Sequence, residues 1–280
     1  METLQRLYLS LLLILFLVSC ETKKEKIEKA ANFGFSFYQG KPEHMNAFAY
    51  ALELDSTNAE YWRELSVTYL KRGIPHIWKK YIDKAVALNP EVWQGYRGYN
   101  YLWFYRDYRK AIEDFDAVNA LTPNFTDAPQ GHSVDYWKGI AYLGLKEYNN
   151  AIQSFDKYIA EETENFGVDL IEVTTYLYKG IVYYELQDFD KAIENFNLLL
   201  QYSYNTYGDG KYYLALIYKQ QGKLKEAKQL ANDALKDYKD GYVNQRPYVE
   251  SMRELYLEDY EQLINQLNNS TLQERRSSNN

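Results

Sequence analysis

Cys20 is the single cysteine of this 280-residue chain, and the three histidines, His44, His76 and His132, lie far apart in sequence. A lone thiol can be alkylated or can act as a nucleophile once deprotonated, but it closes no disulfide framework. Histidines at such intervals offer no local metal-ligand spacing, and no GxSxG, HExxH or phosphate-cradling glycine loop is present. Paired acids such as Glu161 and Glu162 read as solvated helix faces. The pattern predicts a chain that is not an enzyme, with no catalytic or metal-ligating set and no cofactor.

The surroundings of Cys20 give it a different role. Leu7 to Val18 is apolar apart from Tyr8 and Ser10. That length suits a secretory h-region of roughly 7–15 residues and falls short of the ~20 that a spanning helix needs. The last two residues of that run and the two after it, Leu17, Val18, Ser19 and Cys20, resemble the lipobox of bacterial lipoproteins. The resemblance implies that residues 1–19 are a lipoprotein signal peptide, that a diacylglyceryl group alkylates the Cys20 thiol, and that cleavage precedes it and frees an amine for acylation by a fatty acid such as palmitate. Residues 20–30 would form a charged tether. Each buried methylene of such an anchor contributes about 0.8 kcal/mol, and two or more chains hold a protein stably on a membrane. Glu21 is not the aspartate that retains some lipoproteins at the inner membrane, so the resemblance implies an envelope protein anchored at the outer membrane.

The formal charge of −7 and the absence of a Lys/Arg stripe with interleaved aromatics exclude nucleic acid as the expected partner. Basic clusters fall at the two ends: Lys23, Lys24 and Lys26, and then Arg275 and Arg276. Six prolines and many Ala, Leu, Lys and Glu residues favour helix.

The elements that would carry a binding surface come from a repeat. KGIAYLGLKEYNNAIQSF, Lys138 to Phe155, returns 41 residues later as KGIVYYELQDFDKAIENF, Lys179 to Phe196. Periods of roughly 20–50 residues mark stacked supersecondary units. Two helices per unit explain the recurring residues, because axes about 8–10 Å apart require small side chains at the crossing. Gly139 and Ala151 supply them in one copy, Gly180 and Ala192 in the next, with Tyr142 and Phe155, or Tyr183 and Phe196, filling the gaps beside them.

These residues resemble the tetratricopeptide repeat. Trp62, Leu65, Tyr69, Gly73, Ala85, Leu88 and Pro90 match its pattern in one unit; Ala111, Phe115 and Pro123 match it in another; Tyr218, Gly222, Ala227 and Ala234 do so in the last. The resemblance implies an all-α fold, a right-handed superhelical solenoid of antiparallel helix pairs. Six units over residues 25–241 are expected at 25–58, 59–91, 92–125, 132–165, 173–206 and 208–241. Insertions are expected at 124–133 and 160–174. Trp78, where the family has alanine, should splay its hairpin, and Gly98 lies one residue farther from its alanine than in other copies. Val249, Met252, Tyr256, Tyr260, Leu263 and Leu267 recur at three- and four-residue steps, which predicts a capping helix over 244–268 and a disordered tail over 269–280.

In tetratricopeptide arrays the first helices line a concave groove. By that register the groove carries Tyr96, Asn100, Trp103, Tyr136, Tyr184 and Tyr212, an aromatic surface of the kind enriched at binding hot spots. The Lys and Asn pairs with which some members clamp a C-terminal carboxylate are absent. The resemblance implies a scaffold or adaptor for a protein or peptide segment in the bacterial envelope. A glycan-binding surface lipoprotein is the alternative.

Overall fold

The computed structural model describes residues 21–123 and 127–277. Cys20 and residues 1–19, the expected signal peptide, lie outside the described residues. Those described form thirteen α-helices and no strand. The chain divides at Trp93–Gln94 into two compact units, a division that falls inside one helix.

The first unit holds α1 (Lys23–Phe35), α2 (Pro42–Leu54), α3 (Ala59–Lys71) and α4 (Pro75–Leu88). A Thr22–Glu25 capping box starts α1, which satisfies two of the orphan donors of a helix start. Helix therefore begins within the segment expected as a tether. Asn58 caps α3, and Pro42 and Pro75 occupy first turns, where a missing N–H costs nothing. Phe48, Ala51, Leu52, Tyr61 and Leu65 form the core. Trp78 is 1% exposed, and α3 and α4 stay closely packed around it. The expected splay is absent.

The second unit comprises α5 (Pro90–Asn100), which begins before the division, followed by α6 (Tyr108–Leu121), α7 (Val134–Gly144), α8 (Tyr148–Phe166), α9 (Thr174–Glu185), α10 (Phe189–Tyr202), α11 (Gly208–Gln220), α12 (Leu224–Lys239) and α13 (Leu257–Ser277). Successive helices pack as pairs, α7 on α8, α9 on α10 and α11 on α12. Helix α13 closes the stack: Leu263 and Leu267 pack with Ala215, Ala227 and Ala231.

One contact recurs in four hairpins. A Cβ placed on Gly34, Gly98, Gly139 or Gly180 would meet the ring of Phe48, Phe115, Phe155 or Phe196 at 2.8, 2.9, 2.5 and 2.6 Å respectively. Each phenylalanine is fully buried. The glycine is thus fixed by the neighbouring ring.

The lysine of the KGI segment has a separate reason. Lys138 Nζ lies 2.6 Å from Asp116 Oδ1, and Lys179 Nζ lies 2.5 Å from Asp156 Oδ1. In both cases the aspartate follows the core phenylalanine of the preceding pair, so the lysine ties one pair to the next.

The displaced Gly98 has a local cause. In other hairpins the turn closes with a bond that spans five residues, Glu147 N–H to Tyr142 O, Asp188 N–H to Tyr183 O and Lys223 N–H to Tyr218 O. In the third hairpin Tyr101–Tyr105 is π-helical, and Asp107 N–H reaches Tyr101 O, a span of six. A π turn absorbs one extra residue, and such turns gather at functional sites.

The C-terminal expectation is corrected. Helix α13 starts at Leu257, not 244, and runs to Ser277, past the expected start of the tail. Pro247 lacks a donor and biases Arg246 toward extended backbone. Tyr248 and Arg253 have φ of 72° and 57°, and Arg246 bridges to Val249. These features break any helix over 242–256. The three- and four-residue spacing there comes from side chains inserted singly from an irregular strap.

Candidate functional site

The strap, Tyr242 to Tyr256, runs along the face built by the first helices of successive pairs. At one end the Asn244 N–H donates to Asp209 Oδ2 of α11 at 3.0 Å, and Asn244 Nδ2 donates to the Tyr178 hydroxyl of α9 at 3.0 Å. Farther on, Arg246 NH2 donates to the Tyr99 hydroxyl of α5 at 2.7 Å, and its guanidinium lies over the rings of Trp103 and Trp137. Arg106, in left-handed backbone just after the π turn, donates to the Glu250 carbonyl at 3.0 Å. Arg253 then grips Glu185 at the end of α9 through Nε at 2.6 Å and NH2 at 3.1 Å. Backbone and side chain of one extended segment thus touch all four helix pairs of the second unit.

Burial sets the electrostatics. Asp209 is 2% exposed, and burial pushes its carboxyl up to about 6 despite the bond from Asn244. Burial pushes the Tyr178 hydroxyl up to about 12. For Glu185, burial works upward, but the hydrogen bonds from Arg253 and Tyr148 outweigh it and hold the carboxyl below its ordinary value. Burial lowers His132, which packs edge-on to Trp137 at 5.0 Å; Glu172 opposes that shift and Arg246 adds to it.

The six residues expected in the groove occupy different environments. Trp103, 2% exposed, lies under Arg246. Asn100 is 1% exposed, three residues before it. Tyr136 is buried, and its hydroxyl shares a 2.5 Å hydrogen bond with Thr174 Oγ1. Tyr184 is half-buried against Phe189 and Tyr213, and Tyr212 is half-buried against Tyr213 and Tyr260 of the final helix. Tyr96 is half-buried. The structure brings Asn100 and Trp103 together with Tyr99 and Trp137, while Tyr184 and Tyr212 stand nearer the C-terminal end.

Sequence reasoning missed Tyr99, Trp137, Tyr178, Glu185 and the strap residues Asn244, Arg246 and Arg253. The available signal was Asn244 and Pro247, turn-forming residues inside the helix expected over 244–268.

A second concavity, about 540 Å³, lies between the two inserted segments. His132, Tyr158, Glu162, Asn165, Phe166 and Glu172 line it. Phe166 and Leu170 there are 63% and 67% exposed. Among the described residues no group of three His, Cys, Asp or Glu side chains could hold a metal ion, and no helix is long and apolar enough to cross a membrane.

Comparison with solved structures shows the same fold. PilW, a widely conserved type IV pilus biogenesis factor, is 13% identical with a TM-score of 0.59, covering 79% of this chain and 96% of its own. PilF of Pseudomonas aeruginosa is 14% identical with a TM-score of 0.57, covering 79% of this chain and 98% of its own. MamA is 19% identical with a TM-score of 0.53, covering 65% and 94%. No curated protein sequence matches the chain. Two tetratricopeptide-repeat families match by sequence, one over residues 100–165 and another over 174–203 and 209–241. The helix pairs, the recurring glycine–phenylalanine contact and these matches agree: the chain carries tetratricopeptide repeats.

Proposed function

We propose that this chain is a lipid-tethered adaptor of the bacterial cell envelope that binds an extended protein or peptide segment on the face of its first helices. One observation carries the reading. The chain's own strap lies on that face, held by side chains from successive helix pairs, as a bound peptide would be. Arrays of helix pairs offer extended surfaces of this kind. The tether is supported by the Leu17–Cys20 lipobox resemblance, and by a helix that starts at Lys23, which would hold the first pair close to the membrane. Structural likeness to PilW, a type IV pilus biogenesis factor, is a likeness of fold, and that fold is the helix-pair array on which the adaptor reading rests. The repeat architecture supports a scaffold and not an enzyme.

A glycan reading is favoured by the cleft of about 540 Å³, whose tyrosine, phenylalanine, asparagine and acids suit a sugar. One paired experiment separates the two: in-cell crosslinking of the mature protein, and thermal protection of the purified protein by a panel of oligosaccharides. The adaptor reading expects a crosslinked envelope protein and no protection. Protection by oligosaccharides without a captured protein contradicts it.

A further inference from the structure

Of the strap's two arginines, Arg253 reaches a carboxylate, whereas Arg246 makes no ion pair among the described residues. Its guanidinium carbon lies 4.3 Å from the centre of the Trp103 ring, 5.3 Å from that of Trp137 and 5.7 Å from that of Tyr99. The three rings support one another: Tyr99 meets Trp137 edge-on at 5.2 Å, and Trp103 meets it edge-on at 6.0 Å. Trp137 is fixed by its Nε1–H donating to Pro129 O at 2.8 Å. A cation within about 6 Å of a ring centre is attracted by its face, and three rings on one guanidinium make a cage.

Two further observations mark the cage as more than packing. Asn100 is 1% exposed, yet among the described residues neither its Nδ2 nor its Oδ1 has a hydrogen-bond partner, and Trp103 Nε1 lacks one as well. Buried polar atoms left unsatisfied destabilise a fold, so their presence in a folded protein asks for a reason. The π turn at Tyr101–Tyr105, which carries Trp103, is the second irregularity at the same place. The strap, meanwhile, is shallow here. Gln245, Pro247, Tyr248 and Glu250 are exposed, and Arg246 alone enters the rings between them.

We propose that the Tyr99–Trp103–Trp137 cage is a recognition site for the guanidinium of an arginine on an extended partner segment, with Arg246 as the chain's own stand-in for it. An incoming segment displaces Arg246, and its backbone supplies the donors and acceptors that Asn100 and Trp103 lack. Proteins bearing an exposed arginine in a flexible segment are the partners it fits. Because the strap joins α12 to α13, exchanging Arg246 for a partner's arginine also couples partner binding to the loop before the final helix. This inference rests on the reading of the first-helix face as a peptide surface.

The probe is a fluorescein-labelled peptide with the sequence of Tyr242 to Glu250, together with a companion carrying alanine for its arginine. Both are titrated against the full chain and against its Arg246→Ala variant, with anisotropy and tryptophan fluorescence as readouts. The variant should bind the arginine peptide at least about tenfold more tightly than the unmodified chain does, a factor worth about 1.4 kcal/mol. It should also prefer the arginine peptide to its companion by a similar factor. Equal affinity for the two chains, or equal affinity of the variant for the two peptides, overturns the proposal. Arg246→Gln replaces Arg246→Ala if circular dichroism shows the latter unfolded. Peptide failure alongside a protein crosslinked through Tyr184 or Tyr212 removes only this inference, whereas peptide binding with no protein captured removes the adaptor reading.

Discussion

Arg246 and Trp103 meet face to cation at 4.3 Å, one on the strap after the last repeat and the other on the π turn of the third. Arg246→Ala should therefore loosen the strap without unfolding the stack. Cation–π contacts are worth about 0.5–2 kcal/mol, and the Asn244 amide, bonded to Asp209, should exchange its hydrogen faster by a corresponding factor. Unchanged exchange at Asn244 would mean that the strap is held by other contacts.

The glycine–phenylalanine contact gives a packing test. Gly180→Ala places a methyl 2.6 Å from the Phe196 ring, with both residues buried. Overpacking of this kind costs about 1–3 kcal/mol, against the small gain expected from alanine in a helix. Denaturant unfolding should show the loss; a more stable variant would mean that the hairpin yields readily.

Gln187 closes the fifth hairpin with φ of 62°, where the second and sixth use Gly73 and Gly222. Left-handed backbone costs a non-glycine residue about 1–2 kcal/mol, and glycine's extra freedom in the unfolded chain offsets part of that. Gln187→Gly should raise stability by up to about 1 kcal/mol. A lower melting temperature would contradict it.

Asp209 gives a pH dependence of definite sign. Its carboxyl is raised in the folded state to about 6, so the folded chain holds its proton more tightly than the unfolded chain does. The stabilisation is fully present below about pH 4 and is lost as pH rises through about 6. Asp209→Asn keeps an oxygen for the Asn244 N–H and carries no charge. It should stabilise the chain at pH 7.5 by on the order of 1–3 kcal/mol and do little at pH 4. A difference between variant and parent that stays constant across that range would be inconsistent with a buried ionisable Asp209.

Much of the fold was legible because its determinants are local and repeated. Gly139, Gly180, Phe155 and Phe196 recur at fixed offsets, and each is set by one close contact inside its own hairpin. The strap was not legible for the opposite reason. Met252 is buried, and Val249 and Tyr256 follow its three- and four-residue spacing, which imitates one face of a helix. Only long-range partners, Glu185 for Arg253 and Tyr99 for Arg246, reveal that the chain runs elsewhere. Trp103 could be placed on the first-helix face from register, but its extra residue and its π turn could be read only as a phase shift at Gly98. The splay expected at Trp78 failed because the ring is accommodated inside the hairpin core.

Lipidation is tested at its one residue. Cys20→Ala should leave the precursor uncleaved and without fatty acid, read by intact mass spectrometry of the membrane fraction. A mature mass unchanged apart from the substitution would remove the tether from the account.

The central claim, that the first-helix face engages a protein segment, is tested most directly by where a partner crosslinks. A photo-crosslinking residue placed in living cells at Tyr184 or Tyr212, on the first helices α9 and α11, is compared with one at Tyr204, a turn residue 92% exposed. The account predicts a discrete protein adduct from the two face positions, stronger in an Arg246→Ala background, and none of that mass from Tyr204. The same adducts from all three positions, or none from Tyr184 and Tyr212 in either background, would contradict it.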